Sequence, residues 1–200
     1  MVNDLKLRSA IVLSILVLPM FLVYPAEAKS PWIRDEKYDW YDGVTMEPVV
    51  GVPWLDITKS SITEHGEALV LRIHVATAIK PEVRGEMAAF WWSIDADQDS
   101  STGIVLEYLS DLGYDYGVRV KYLPDSGVWT AVLQDYSSGE IVQTDLETFS
   151  VNGATVSVWL PHSMIDWDTE FYWTCDTNDY HYGPGATGYI DKGMPEYAEY

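Results

Sequence analysis

Apolar and polar positions alternate through most of the chain. Leu69-Val70-Leu71-Arg72-Ile73-His74-Val75 is rich in β-branched residues and repeats every second position. That period belongs to a half-buried strand, whose successive side chains point to opposite faces. Glu86 to Ile94 is the next such run. Tyr114 to Tyr122 follows, with Tyr116, Val118, Val120 and Tyr122 on one face. Pro124-Asp125-Ser126-Gly127 predicts a turn, because proline presets φ and glycine accepts a positive φ. Val128 to Leu133 is its hairpin partner, and Ser137-Ser138-Gly139-Glu140 is a second turn. Phe149-Ser150-Val151 and Ala154 to Leu160 flank Asn152-Gly153, a hairpin signal. Phe171 to Cys175 closes the series.

Helical periodicity is nearly absent. Pro161 to Ile165 suggests one turn. The expected fold is therefore all-β: a single antiparallel β-sandwich, jelly-roll-like, over residues 53 to 200. Residues 29 to 52, rich in Trp, Tyr, Asp, Pro and Gly, read as an irregular arm. Thr177 to Tyr200, rich in Gly, Tyr and acidic residues, reads as a loop-rich tail along the sheet edges.

The first 28 residues carry a different pattern. Lys6 and Arg8 precede the apolar stretch Ala10 to Tyr24, and Ala26-Glu27-Ala28 offers a cleavage site. Together these predict a secretory signal peptide, residues 1 to 28, cleaved after Ala28. The alternative is a retained anchor. Fifteen residues of helix rise only about 22 Å, short of the roughly 30 Å hydrocarbon core, and Pro19 weakens it further. The expected location is outside the cell or at its surface, with no membrane contact after cleavage.

Charge narrows the partners. The chain has 31 acidic and 12 basic residues and a formal net charge of -19. So acidic a surface repels nucleic acid and anionic lipid. Cys175 is the only cysteine, which excludes an internal disulfide. It sits in a strand-like run and reads as a small buried apolar residue.

One segment carries chemistry. Asp95-Ala96-Asp97-Gln98-Asp99 places three carboxylates in five residues, and the nearest basic residues in sequence are Arg84 and Arg119. Calcium relieves such repulsion, because it takes six to eight oxygen ligands. An EF-hand is excluded: the sixth position is Ser100, the twelfth is Leu106, and the flanks are strands. The expected site has Asp95 ending a strand and Asp97 and Asp99 on the turn after it. Asp115, at the start of the next strand, supplies the distal ligand, with Glu107 and Asp111 as weaker candidates in between. The expected cofactor is structural Ca2+. The competing reading is an ordinary solvated acidic turn.

Ile94-Asp95-Ala96-Asp97-Gln98-Asp99-Ser100-Ser101-Thr102-Gly103, followed by Gly113-Tyr114-Asp115-Tyr116, resembles a pattern of D-x-D, T-G and G-x-D-Y. This pattern is found in secreted carbohydrate-binding family 9-like or DOMON-like β-sandwich domains. Leu55-Asp56-Ile57 at the start and Phe171-Tyr172-Trp173 near the end fit the same group. The resemblance implies a sandwich with a metal at Asp95, Asp97, Asp99 and Asp115. It implies function only weakly, since such folds host sugar binding, haem binding and structural roles. His65, His74, His162 and His181 are scattered and form no haem ligand set.

Nine tryptophans and fourteen tyrosines suit a surface that stacks sugar rings. Trp32, Trp40, Trp54 and Trp167 lie in irregular stretches and are candidates for exposure. In Trp91-Trp92 the alternation puts one ring inward and one outward, without saying which; Trp92 joins the candidate ligand-binding set. The same rings could equally be core. Three functions compete. The first is a non-catalytic binding module for an extracellular polysaccharide. The second is a structural or adhesive domain that contacts a surface protein. The third, ranked last, is a glycoside hydrolase with paired carboxylates. No catalytic residue is assigned.

Overall fold

A computed structural model describes residues 32–35, 41–42, 52–80, 87–105, 113–166, 170–180 and 188–199. The first strands, in chain order, are β1 (Trp32–Arg34), β2 (Tyr41–Asp42), β3 (Ile57–His65), β4 (Ala68–Val75), β5 (Met87–Asp95), β6 (Ile104–Val105) and β7 (Gly113–Tyr114). Then come β8 (Tyr116–Leu123), β9 (Val128–Asp135), β10 (Val142–Asp145), β11 (Phe149–Asn152), β12 (Thr155–Pro161), β13 (Tyr172–Tyr180) and β14 (Gly188–Glu199). A 3-10 turn, His162–Met164, stands where one helical turn is predicted.

Two antiparallel sheets make the sandwich. The five-stranded sheet has the order β1-β3-β4-β12-β11, and the seven-stranded sheet the order β10-β9-β8-β5-β13-β14-β2. A small third ladder joins β6 to β7. One core lies between the large sheets. Ile62, Leu69, Leu71, Ile73, Val156, Val158 and Leu160 enter it from the first. Phe90, Trp92, Ile94, Val118, Val120 and Trp173 enter it from the second. Each such side chain contributes roughly 1.5–3 kcal/mol when fully buried. The alternation read at Tyr116, Val118, Val120 and Tyr122 is the core face of β8, as all four are buried. Cys175 is a buried free thiol.

One strand goes unread in the sequence, and three local readings change. β3 has no clear period of two, yet it is a nine-residue strand. A register irregularity between Ile57 and Lys59 breaks its alternation, and Ser60 and Ser61 are both buried. The Ser60 hydroxyl offsets part of that cost by donating to the Arg72 carbonyl at 2.9 Å. The segment expected as a loop-rich tail instead completes β13 and contains β14, which pairs with β13 along nearly its whole length. The irregular arm supplies the two short strands β1 and β2, which pair with β3 and β14. In the β11–β12 hairpin Asn152 pairs with Thr155, so the two central residues are Gly153 and Ala154. Gly153 has φ 58° and Ala154 has no positive φ. That places glycine first in the loop, as a type II′ turn requires, rather than second as in an Asn-Gly type I′ turn.

Residues 1 to 28 lie outside the described residues. Among the described residues no helix is long and apolar enough to cross a membrane.

Candidate metal centre

The acidic loop is built by strand ends. β5 terminates at Asp95, and the chain turns outward through Asp97 and Asp99. Gln98 takes φ 59°, a left-handed conformation that a side chain adopts only at some cost. Asp115 sits between β7 and β8, and its amide donates to the Ile94 carbonyl at 2.9 Å. The register of β5 against β8 thus returns Asp115 beside the end of β5, as its position at a strand start predicts.

Two glycines let the loop close this tightly. Gly103 has φ 63°, and a Cβ there would collide with the Tyr114 carbonyl. A Cβ at Gly113 would strike the Thr102 carbonyl. The T-G and G-x-D-Y glycines are therefore the places where β6 and β7 cross at backbone contact distance.

Asp95, Asp97 and Asp115 each bring a carboxylate oxygen within 4.8 Å of the others. Two oxygens bound to one calcium at 2.3–2.6 Å stand at most about 5 Å apart, so the spacing fits a shared ion. The three carboxylates can hold a metal ion. Asp95 and Asp115 are buried, and Asp97 is exposed at the mouth.

The hydrogen bonds divide the loop into held and unheld oxygens. Asp115 Oδ2 accepts the Ala96 amide at 2.8 Å. Asp97 Oδ1 accepts the Asp99 amide at 2.9 Å. The Thr102 hydroxyl lies 3.1 Å from Asp97 Oδ2, 2.9 Å from the Asp99 carbonyl and 3.4 Å from Asp115 Oδ1. It has one proton and can donate to only one of them at a time. Both oxygens of Asp95 are buried and make no hydrogen bond of ordinary geometry.

Burial, opposed by the nearby Gln98 amide and reinforced by Asp115, Asp97 and Asp99, pushes the Asp95 carboxyl up to about 6. Burial also raises Asp115, against the Ala96 amide. Asp99 behaves oppositely. Its carboxylate is capped by the Ser101 hydroxyl at 2.6 Å and the Ser101 amide at 2.9 Å, which lowers it.

The structure thus brings together three of the four principal candidates and turns the Asp99 side chain onto Ser101. Glu107 and Asp111 lie outside the described residues, as do Trp40 and Trp167. Trp32 contributes its backbone to β1. Trp54 and Trp92 are corrected: both are buried in the core, so neither offers a ring face to a ligand. Trp54 belongs to the same buried cluster as Leu55 and Ile57, and Trp92 shares its strand face with Phe90 and Ile94. The Thr102 hydroxyl was not among the candidates. Its only sequence signal is its place in the T-G step.

No family model, curated protein or solved structure matches this chain.

Proposed function

We propose that the chain is an exported, calcium-braced β-sandwich that acts as a non-catalytic binding module for extracellular glycan. The observation that carries the brace is Asp95. A fully buried carboxylate whose two oxygens lack ordinary hydrogen bonds is costly unless a cation faces it. The cluster offers oxygen donors only, which suits calcium better than zinc, whose sites favour nitrogen and sulfur. Magnesium demands a tighter octahedron at 2.0–2.1 Å. The same burial speaks against hydrolysis. An acid and a base must reach a glycosidic bond across a cleft, whereas Asp95 and Asp115 are sealed within the fold.

The test is thermal melting in excess EDTA and in millimolar calcium, with isothermal titration for stoichiometry. A rise in melting temperature and one ion bound per chain support the brace. An unchanged melting temperature refutes it. Export is tested by the mature N-terminus, expected at Lys29.

A structural or adhesive role is the second reading. Ile141 and Val142 are exposed beside and on the edge strand β10, and Trp54, Trp92 and Trp173 are buried. An exposed apolar edge suits pairing with a protein.

A further inference from the structure

The two outward faces of the sandwich differ. On the seven-stranded sheet the rows of side chains across β13, β5, β8 and β9 are polar yet closed. Ser93, Thr174, Asp176 and Asn178 are buried there, and Trp91 and Tyr136 fill the space over Gly117. The outward face of the five-stranded sheet is open, and its charge runs against that of the chain.

Leu69, Leu71 and Ile73 of β4 and Val156, Val158 and Leu160 of β12 enter the core, so the residues between them point outward. Strand register carries that face to both edges of the sheet. Arg34, Lys59, His74, Thr155 and Asn152 stand in one row across β1, β3, β4, β12 and β11. Ser61, Arg72, Ser157 and Ser150 form the next row. Arg34, Ser150 and Asn152 are exposed, and Lys59, Arg72, His74 and Thr155 are half-buried, so solvent reaches the face along its width.

The chain has 31 acidic and 12 basic residues, yet these two rows hold Arg34, Lys59 and Arg72 and no carboxylate. Neighbouring strands about 4.8 Å apart set Arg34, Lys59 and His74 side by side. Burial, then Lys59, then Arg72 lower the His74 imidazole, in keeping with cations close by. The ring shares a hydrogen bond with Thr155 Oγ1 at 3.0 Å, and Arg72 Nη1 lies 3.4 Å from Thr63 Oγ1. Exposed charges farther off than about 8 Å are largely screened at physiological ionic strength. A ligand on this face therefore feels these cations more than the net charge of -19.

We infer that this face holds the carboxylates of an acidic, uronate-bearing glycan. This rests on reading the chain as a glycan-binding module and adds the face and the ligand class. Arginine and lysine donate charge-assisted hydrogen bonds to a carboxylate. The hydroxyls of Thr155 and Ser150 and the Asn152 amide both donate and accept, as sugar hydroxyls require. Small-molecule sites are concave, whereas a flat, open row suits an extended polymer laid across it. Charge density selects the uronate. Three cations match a few spaced carboxylates. A densely sulfated chain would extend past them and meet the repulsion of the remaining acidic surface.

The experiment uses the metal-loaded full chain, freed of excess calcium by gel filtration. Tetragalacturonate is titrated by calorimetry beside galactotetraose, cellotetraose and a chondroitin sulfate tetrasaccharide. The expected result is binding of tetragalacturonate at least tenfold tighter than of the other three, weakened tenfold or more in 1 M sodium chloride, where the Debye length is about 3 Å. Arg72→Met, which keeps the aliphatic stem, should weaken it tenfold or more. Ser150→Glu, at an exposed edge position, should do the same with little risk to folding. Both variants should keep the calcium-induced rise in melting temperature. Binding of a neutral tetrasaccharide without tetragalacturonate overturns this inference and leaves the glycan-module reading standing. No binding of any of the four, with the calcium response intact, overturns both. Equal or tighter binding of the sulfated sugar, or binding that neither substitution weakens, overturns the inference. A dimer in sedimentation that Ser150→Glu dissociates assigns the face to a second copy of the chain and also overturns it.

Discussion

Asp95 is the residue on which stability turns, and its sign depends on the metal. Burial raises its carboxyl from 3.8 to about 6 in the folded protein, with Asp115, Asp97 and Asp99 adding to that and the Gln98 amide opposing it. A raised carboxyl favours the folded state while protonated, and that contribution is lost as pH rises through the folded value. In metal-free protein the loss therefore develops between about pH 4 and pH 6. A shift of about two units corresponds to roughly 3 kcal/mol, an upper estimate for one group. Asp99, which is lowered, works in the opposite direction. Comparison with Asp95→Asn isolates the single group. In EDTA the variant should approach wild type at or below about pH 3.8 and exceed it by about 1–3 kcal/mol at pH 7.5. In calcium at pH 7.5 the order should reverse, because the variant has lost a charged ligand. Urea unfolding under the four conditions reads both signs. A variant less stable than wild type in EDTA at pH 7.5 would contradict the account of Asp95 as an unneutralised buried charge. Calcium affinity should fall as pH drops below about 6, since the metal competes with protons for the same oxygens.

At the scale of elements, the acidic loop was legible and the outer face of the seven-stranded sheet was not, for one reason. Asp95, Asp97 and Asp99 are neighbours in sequence, so their repulsion is visible locally. Asp115 could be placed because a strand start tends to return beside the previous strand end. The rows on the outer face of the seven-stranded sheet depend on register among four strands. In the sequence, Thr174 and Asp176 alternating with Trp173 and Cys175 look like an ordinary solvated face. β3 was obscured by its irregular alternation, and β14 by its Gly, Pro and acidic residues, which strands usually avoid. In the sequence the glycines at 103 and 113 belong to a motif with no visible cause. Their cause is backbone contact, and it makes a prediction. Gly113→Ala drives a Cβ into the Thr102 carbonyl, and backbone cannot rotate away as a side chain can. The variant should lose about 1–3 kcal/mol by urea unfolding, as overpacked sites do. It should also blunt the calcium response, because Thr102 lies against Asp97 and Asp115. Gly113 has no positive φ, so the loss reads the collision rather than left-handed strain.

For the whole molecule, the charge of -19 complicates any test with a divalent cation. A chain this acidic repels itself, and every added cation relieves some of that repulsion by screening. A specific site must therefore be separated from a general one. Binding to the folded state alone adds RT ln(1 + [L]/Kd), about 2.7 kcal/mol when calcium stands at a hundred times its Kd. For a chain of this size that corresponds to a rise of about 5–10 °C, taking 2–4 °C per kcal/mol. In 1 M sodium chloride the Debye length falls to about 3 Å, so diffuse repulsion is already suppressed. The contribution of the Asp95, Asp97 and Asp115 cluster should survive there, because its oxygens lie within one ion's reach and two of its residues are buried. The expected outcome is a calcium-dependent rise in 1 M salt that equimolar magnesium reproduces only weakly. It should saturate at one ion per chain and vanish in Asp95→Asn. A rise that sodium chloride abolishes, or that magnesium matches, assigns the effect to the acidic surface and removes the ion from the end of β5.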